Sequence, residues 1–309
     1  MAEYTEYKII SDNDEDRLDL FLAKIYPDNS RTYLQKLIKD GLVSVNKTIV
    51  KKPSYSVKED DELLIRMPVP VPLEINAEDI PLNIIHEDDD ILIVNKPKGM
   101  VVHPAPGHLS GTLVNAVMFH CGSTLSGING ILRPGIVHRI DMDTTGSLII
   151  CKNDYAHNYI AEQLKVHSIN RIYVGIVQGK LSNLEGTVDI YLNRDKNDRK
   201  KMAVCKEFEG KRAITHYKVL EEYKDCSLVK FKLETGRTHQ IRVSMSYLNH
   251  PLVGDYVYGS ATNRFGIKGQ VLHAKTIGFI HPTTKEYVEY NAEYSEEFNK
   301  LTERLRKEG

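Results

Sequence analysis

IVHRIDMDTTGSLII, residues 136–150, sets a short apolar lead against a burst of charge, then a glycine and an apolar run of strand character. His138, Arg139, Asp141 and Asp143 therefore project from a turn abutting a strand, out of a frame that reads as buried. One reading is a salt-bridged loop in which Arg139 pairs with a neighbouring aspartate. Another is the carboxylate pair of a glycosidase, but Asp141 and Asp143 lie two apart, and in an extended segment such side chains leave opposite faces. One of them can enter a pocket that the other does not reach.

Working outward, ILIVNKP and MVVHP read as short apolar strands broken by Pro and Gly, and GSTLSGINGILRPG, residues 122–135, as a glycine-rich loop. In NRIYVGIVQG, Tyr173 alternates with Ile172 and Val174 along a strand, where a tyrosine is ordinarily packing. FKLETGRTHQIRVSM places Val229, Phe231 and Leu233 on one strand face, turns at Gly236, and opens a helix at Thr238 that carries Ile241, Met245 and Leu248. Arg237 then stands just outside a helix N-terminus, where the dipole favours negative charge; a carboxylate from another loop is the natural compensation. Strands and helices mix without regular βαβ spacing, which predicts an α+β fold with a mostly antiparallel sheet flanked by helices.

The chain's 309 residues favour two domains, and 41% hydrophobic with 27% charged residues is an ordinary globular composition. A formal charge of -1 gives no global sign of a polyanion partner, so charge must be read by segment. Cys121, Cys151, Cys205 and Cys226 are scattered, without CxxC pairs or zinc-finger histidines, which argues against a disulfide framework or structural zinc. No signal peptide or run of eighteen apolar residues is evident, and the expectation is a cytoplasmic protein.

Toward the N-terminus, Leu18, Phe21, Leu22 and Ile25 have helical period, with Pro27 after them. Ser30 is a good N-cap for a second helix that buries Leu34, Leu37 and Ile38 and ends before Gly41. LVSVN then alternates like a strand, with Asn46 and Lys47 as turn residues. From Ser30 to Lys58 there are seven basic residues and one acidic, Asp40. A solvated helix face accounts for such a run as readily as a binding surface does. MPVPVPLEINAEDIP holds four prolines and predicts an extended connector, so the expected division is 1–66, a linker at 67–80, and 81–309.

RLDLFLA, SRTYLQKLIKDGLVSVN and KEDDELLI, in that order, resemble the S4 RNA-binding domain over about residues 15–66. The resemblance implies RNA contacts at Arg31, Lys36, Lys39 and Asn46. DILIVNKPKGMVVHP, IVHRIDMDTTG, NRIYVGIVQG, LETGRTHQIRVSMSYLNHPLVGDYVYG and VLHAKTIGFIHP together resemble the RluA/RluD group of pseudouridine synthases over roughly residues 80–290. The chain departs from that pattern at Arg171, where lysine is usual, and at Ser244, where histidine is common.

The resemblance implies isomerisation of uridine to pseudouridine, with large-subunit (23S) ribosomal RNA as partner and no metal or other cofactor. Asp141 would be the catalytic carboxylate, attacking the anomeric carbon or assisting formation of a glycal. Tyr173 would stack on the uracil and help remove the proton from its carbon 5. A dry carboxylate needs a cation to stay ionised, and Arg237 is the residue expected to pair with Asp141. Arg139, Thr144, His239, Arg242 and Leu272 are expected to contact substrate, with Leu272 as a pocket wall. RDKNDRKKMAVCKEFEGKR, residues 194–212, is either a further RNA contact or a solvated hairpin. An RNA-binding regulator with a vestigial catalytic domain is the other class of reading, disfavoured by intact Asp141, Tyr173 and Arg237; the expected state is a monomer.

Overall fold

The computed structural model describes residues 4–15, 17–69, 75–105, 107–128, 134–198, 200–260 and 262–308. They fall into two compact units, Met1–Leu73 and Glu74–Gly309. Residues 70–74 of the expected connector and 129–133 of the expected glycine-rich loop lie outside the described residues.

In the first unit, β1 (Tyr4–Ile10), α1 (Leu18–Ile25), α2 (Arg31–Lys39), β2 (Val43–Val45), β3 (Thr48–Ile49) and β4 (Glu62–Pro68) form a sheet of order β1-β4-β2-β3 with two helices. The apolar positions of both helices, Leu18, Phe21, Leu22, Leu34, Leu37 and Ile38, meet Val43, Val45, Leu63 and Ile65 in one core. Ser30 caps α2 by accepting from the Tyr33 amide at 3.2 Å. Asn46 and Lys47 both have positive φ (47° and 67°), the geometry of a two-residue hairpin turn whose twist matches its strands.

The second unit runs β5 (Ile84–Glu87), β6 (Ile91–Lys96), α3 (Leu113–Cys121), β7 (Thr145–Cys151), α4 (Asp154–Lys165), β8 (Asn170–Gln178), β9 (Glu185–Arg194), β10 (Met202–Cys205), β11 (Lys211–Glu222), β12 (Cys226–Leu233), α5 (Gln240–Tyr247), β13 (Leu272–Ile280), β14 (Tyr287–Asn291) and α6 (Glu296–Glu308). Its ten-stranded sheet has the order β10-β9-β11-β12-β8-β13-β7-β6-β5, with β14 against β13. Only the pairing of β13 with β7 is parallel, as an α+β reading requires. β6 and β7 are apolar almost throughout because both of their faces are covered: Leu92, Val94, Leu148 and Ile150 pack with α3, while Ile91, Ile93, Ile149 and Cys151 pack with α4. Further along, Ile241 and Met245 of α5 pack on Val177, Val229 and Phe231, and Phe298, Leu301 and Leu305 of α6 pack on Val174, Ile176 and Leu228.

β13 is the seam. It pairs on one side with β7 and on the other with β8, so it joins the ladder β5-β6-β7 to the ladder running from β8 to β10. Gly146 lies on that seam opposite Ala274, with φ +112°. A Cβ there would stand 2.3 Å from the Ala274 carbonyl oxygen, and the conformation itself is disfavoured for other residues. Gly146→Ala is expected to destabilise the second unit by at least about 2 kcal/mol. Urea unfolding followed by tyrosine fluorescence and circular dichroism measures this, and an unchanged midpoint would show that the strands part without cost.

Candidate active site

The charged stretch reads outward from a strand-like base. Ile136 bridges to Ile150, and Ile140 is buried in the α3 core, so alternate positions face inward. His138 belongs to that inner set: its Nε2 accepts from the Ile149 amide at 3.0 Å, which places the imidazole proton on Nδ1. Desolvation, helped by the charge of Arg171, pushes His138 down to about 3 and keeps it neutral. Arg139 is left exposed, and Asp141 sits half-buried at a turn where the Thr144 amide donates to its carbonyl.

Lys96, at the end of β6, fixes the turn from beneath. The side chain is 1% exposed, and its Nζ donates to the carbonyls of Pro97, Met100 and Met142 at 2.7 to 2.9 Å. Burial pulls Lys96 down to about 7 against the opposing charges of Asp143 and Asp141, while three carbonyl acceptors suit the ammonium form. Asp143 points away from Asp141, into a separate crevice with Lys98 and Gln270. Two carboxylates arranged this way do not flank one bond, and the glycosidase geometry is absent.

The cation on Asp141 is Arg242, with Nη1 at 3.0 Å from Oδ2. This corrects the expectation for Arg237, whose Nε is committed to the Arg212 carbonyl at 3.0 Å. The helix begins at Gln240 rather than Thr238, so Arg237 lies in the loop before it, whereas Arg242 projects from its first turn. The anion expected beside this helix start is present all the same, for Asp141 Oδ1 lies 3.8 Å from Nε2 of the N-capping His239.

Behind Arg242 stands Asp255, 1% exposed, which takes Nε at 2.7 Å and Nη2 at 2.9 Å in a fork. Asp255 Oδ1 also accepts from the Val257 and Tyr258 amides. Asp141 thus receives one edge of a guanidinium whose other edge is already locked. His239 Nδ1 lies 2.8 Å from the Tyr258 hydroxyl, which accepts from the Met202 amide at 2.7 Å. A phenol accepting there gives its own proton to Nδ1, consistent with Nε2–H facing Asp141. Burial lowers the His239 pKa despite Asp141, so the ring is neutral.

Gln240 holds the preceding loop to the sheet. Its Oε1 accepts from the Arg237 amide and the Thr235 hydroxyl, and its Nε2 donates to the Ile214 carbonyl and Thr215 Oγ1, all within 3.0 Å. Tyr173, half-buried on β8, completes the cleft. Burial pushes its phenol up, Arg171 opposes that and Asp141 adds to it, so the hydroxyl is protonated at neutral pH. Arg139, Asp141, Thr144, Tyr173, Arg237, His239, Arg242 and Leu272 all line this one cleft. Thr144 is itself buried and accepts from Gln270 at 3.0 Å.

In the first unit the expected contacts fare differently. Lys36 and Lys39 are exposed. Arg31 is tied to the fully buried Asp19 at 2.9 Å, together with Arg17 and Gln35. Burial alone would raise Asp19, but these hydrogen bonds outweigh it and hold the carboxyl at about 2. Asn46 spends its amide on Asp61 and on the Glu62 backbone, so it shapes the turn.

Asp255, Gln240, Lys96 and Tyr258 were not singled out from sequence. A lone acid in PLVGDYVYG and a lone lysine ending ILIVNK were the available signals. A different cluster, Asp88, Asp90 and His281, gathers potential metal ligands within 4.8 Å of one another. Its members are already spent: Asp88 accepts from His86, His281 and two amides, and Asp90 from Asn153 and Thr283.

The sequence model of the RNA pseudouridylate synthase family matches residues 90–247, and that of the S4 domain matches residues 16–63. An uncharacterized RNA pseudouridine synthase of Bacillus subtilis is 50% identical over 294 residues, covering 95% of each chain. Ribosomal large subunit pseudouridine synthase D of Zymomonas mobilis is 45% identical, over 94% of this chain and 93% of the relative. Among solved structures, human RNA pseudouridylate synthase domain containing 4 matches 72% of this chain and 93% of its own at 23% identity, with a TM-score of 0.55, a likeness of fold.

The neutral histidines give the fold an acid sensitivity of defined sign. His138 is held down to about 3 and His273, by burial, to about 4, both from 6.5. The unfolded chain binds more protons below 6.5, so stability falls as pH drops from there toward 4. Carboxylates held at about 2, Asp19 and Asp88, lose their contribution only below 3.8. The urea midpoint is therefore expected to decline between roughly pH 6.5 and 4.5, and His138→Gln to flatten the decline. A midpoint constant across that window would contradict the neutral assignment.

Proposed function

Because the chain belongs to the RNA pseudouridine synthase family, we propose that Asp141 opens the glycosidic bond of a uridine in large-subunit ribosomal RNA. The observation that carries this reading is a carboxylate fixed through Arg242 and Asp255 in a cleft faced by Tyr173. The reaction breaks the bond from C1′ to N1, turns the base, and makes the bond from C1′ to C5. C5 loses a proton and N1 gains one, so atoms balance without an oxidant or cosubstrate.

Asp141 either attacks C1′ or assists formation of a glycal. Both routes need a charged oxygen in a site that excludes water, because water would capture the sugar once the base has left. Arg242 supplies the countercharge through one hydrogen bond to Oδ2, and with its other edge committed to Asp255 it makes none to Asp141 Oδ1. Tyr173 stacks on the uracil; with its phenol held protonated, it aids loss of the C5 proton as a hydrogen-bonding partner and not as a resting phenolate. Leu272 forms a wall of the cleft.

A paired uridine must leave its helix, at a cost of a few kcal/mol, of which one aromatic stack returns about 1–3 kcal/mol. Contacts to the RNA backbone supply the rest. We assign these to Arg139 and Arg237 at the cleft mouth, and to Lys36 and Lys39 in an RNA-holding unit at residues 1–66. The connector expected at 67–80 before a catalytic unit at 81–309 is shorter at both ends, since Met67 and Pro68 pair with Thr5 and Tyr4 in β4 and Ile75 is buried in the core of the second unit. In this reading the enzyme is a cytoplasmic monomer; among the described residues no helix is long and apolar enough to cross a membrane.

Asp141→Asn is expected to abolish tritium release from RNA labelled at uridine C5, while affinity for that RNA stays within several-fold. Comparable turnover by the purified variant would refute the role of Asp141. Deleting residues 1–66 is expected to weaken binding about tenfold or more and to change turnover at saturating RNA far less. Unchanged affinity in a filter-binding assay would remove the first unit from RNA recognition.

A further inference from the structure

Phe208 is 94% exposed, the most exposed of the large apolar side chains among the described residues. It occupies the third position of a turn closed by the Glu209 amide on the Lys206 carbonyl at 3.1 Å, with φ +68°. Glycine or asparagine is the ordinary occupant of that position, and a bulky side chain there is disfavoured. The sequence places the glycine two residues later and the phenylalanine at the tip.

The turn is anchored on both sides of the ring. The Tyr191 hydroxyl donates to Glu207 at 2.8 Å, and the Asn193 side chain donates to the Glu209 carbonyl. Gly210 lies so close to β9 that a Cβ would stand 2.5 Å from the Leu192 carbonyl oxygen. A secured turn in a disfavoured conformation therefore holds an aromatic ring out in water, which loses the burial that otherwise favours such a side chain.

The ring borders a cleft of about 700 Å³ that runs into the active site, since Arg139, Arg237 and His239 line both. Beyond those shared residues its walls carry Arg194, Lys200, Lys201 and Lys211, opposed by Glu209. Walls of that charge select a polyanion, and a polyanion that also offers flat apolar faces is a nucleic acid strand with unstacked bases. We propose that Phe208 is the stacking platform for an unpaired base of the RNA near the flipped uridine. This rests on the reading of the Asp141 cleft as the uridine site. A protein partner with an acidic surface is the competing occupant.

The test uses the full chain and an unmodified large-subunit ribosomal RNA transcript carrying tritium at uridine C5. Phe208→Ala and Phe208→Leu are expected to raise KM about 5- to 100-fold, with kcat kept within about twofold, and Phe208→Tyr to restore KM. A wild-type KM in Phe208→Ala overturns the proposal. So does full function in Phe208→Leu, which keeps an apolar contact but no stacking face, as a protein partner would accept. If the wild-type chain released no tritium, the uridine reading would fall separately, and affinity for the same transcript would then judge Phe208. Equal affinity of wild type and Phe208→Ala would overturn it.

Discussion

One guanidinium serving two carboxylates organises this protein. Arg242 is buried, and a buried cation is costly unless its donors are met. Asp255 meets two of them in a fork and Asp141 a third, so the pair that stabilises the cation is also the arrangement that orients the Asp141 carboxylate. Asp141 and Asp255 share this one guanidinium, and His239, 3.8 Å from Asp141, is kept neutral by burial. Asp255, which lies behind Arg242, bears on the cleft through the orientation it imposes on that guanidinium.

The scaffold explains why such an arrangement can be held rigidly. Asp141 sits at a turn pinned beneath by Lys96 and leading directly into β7, a strand buried along its whole length. Arg242 sits on the first turn of α5, where Gln240 makes two hydrogen bonds to β11 and two to the loop that leads into the helix. Neither group depends on a free loop. A small displacement of either would separate atoms now 3.0 Å apart, which is why so many buried polar groups serve the two segments.

Much of this was legible in the sequence where one physical rule acted alone. Apolar spacing gave α1 and α2, Ser30 and Gly41 their limits, and Asn46 with Lys47 the hairpin, because each depends on neighbours a few residues away. Asp141 and Asp143 do diverge, but Asp141–Thr144 is a turn closed by the Thr144 amide, so the two-residue period expected of extended chain is not what separates them. The cation at Asp141 was misplaced because Arg237 and Arg242 lie five residues apart, and choosing between them needs the exact start of the helix. Asp255 and Gln240 were invisible for a different reason: their role is to satisfy partners remote in sequence. The structural partners of Arg31 and Asn46, the buried Asp19 and the Asp61 turn, are remote in sequence in the same way and leave no local mark.

The position of β13 has a bearing on synthesis. Asp141 precedes β7, on one ladder of the sheet, and Arg242 follows β12, on the other. The strand that joins those ladders, Leu272–Ile280, is made after both Asp141 and Arg242. A nascent chain lacking it carries the carboxylate and its guanidinium on separate pieces of sheet. The joined site thus waits for β13, and a chain interrupted before Leu272 holds its two halves apart.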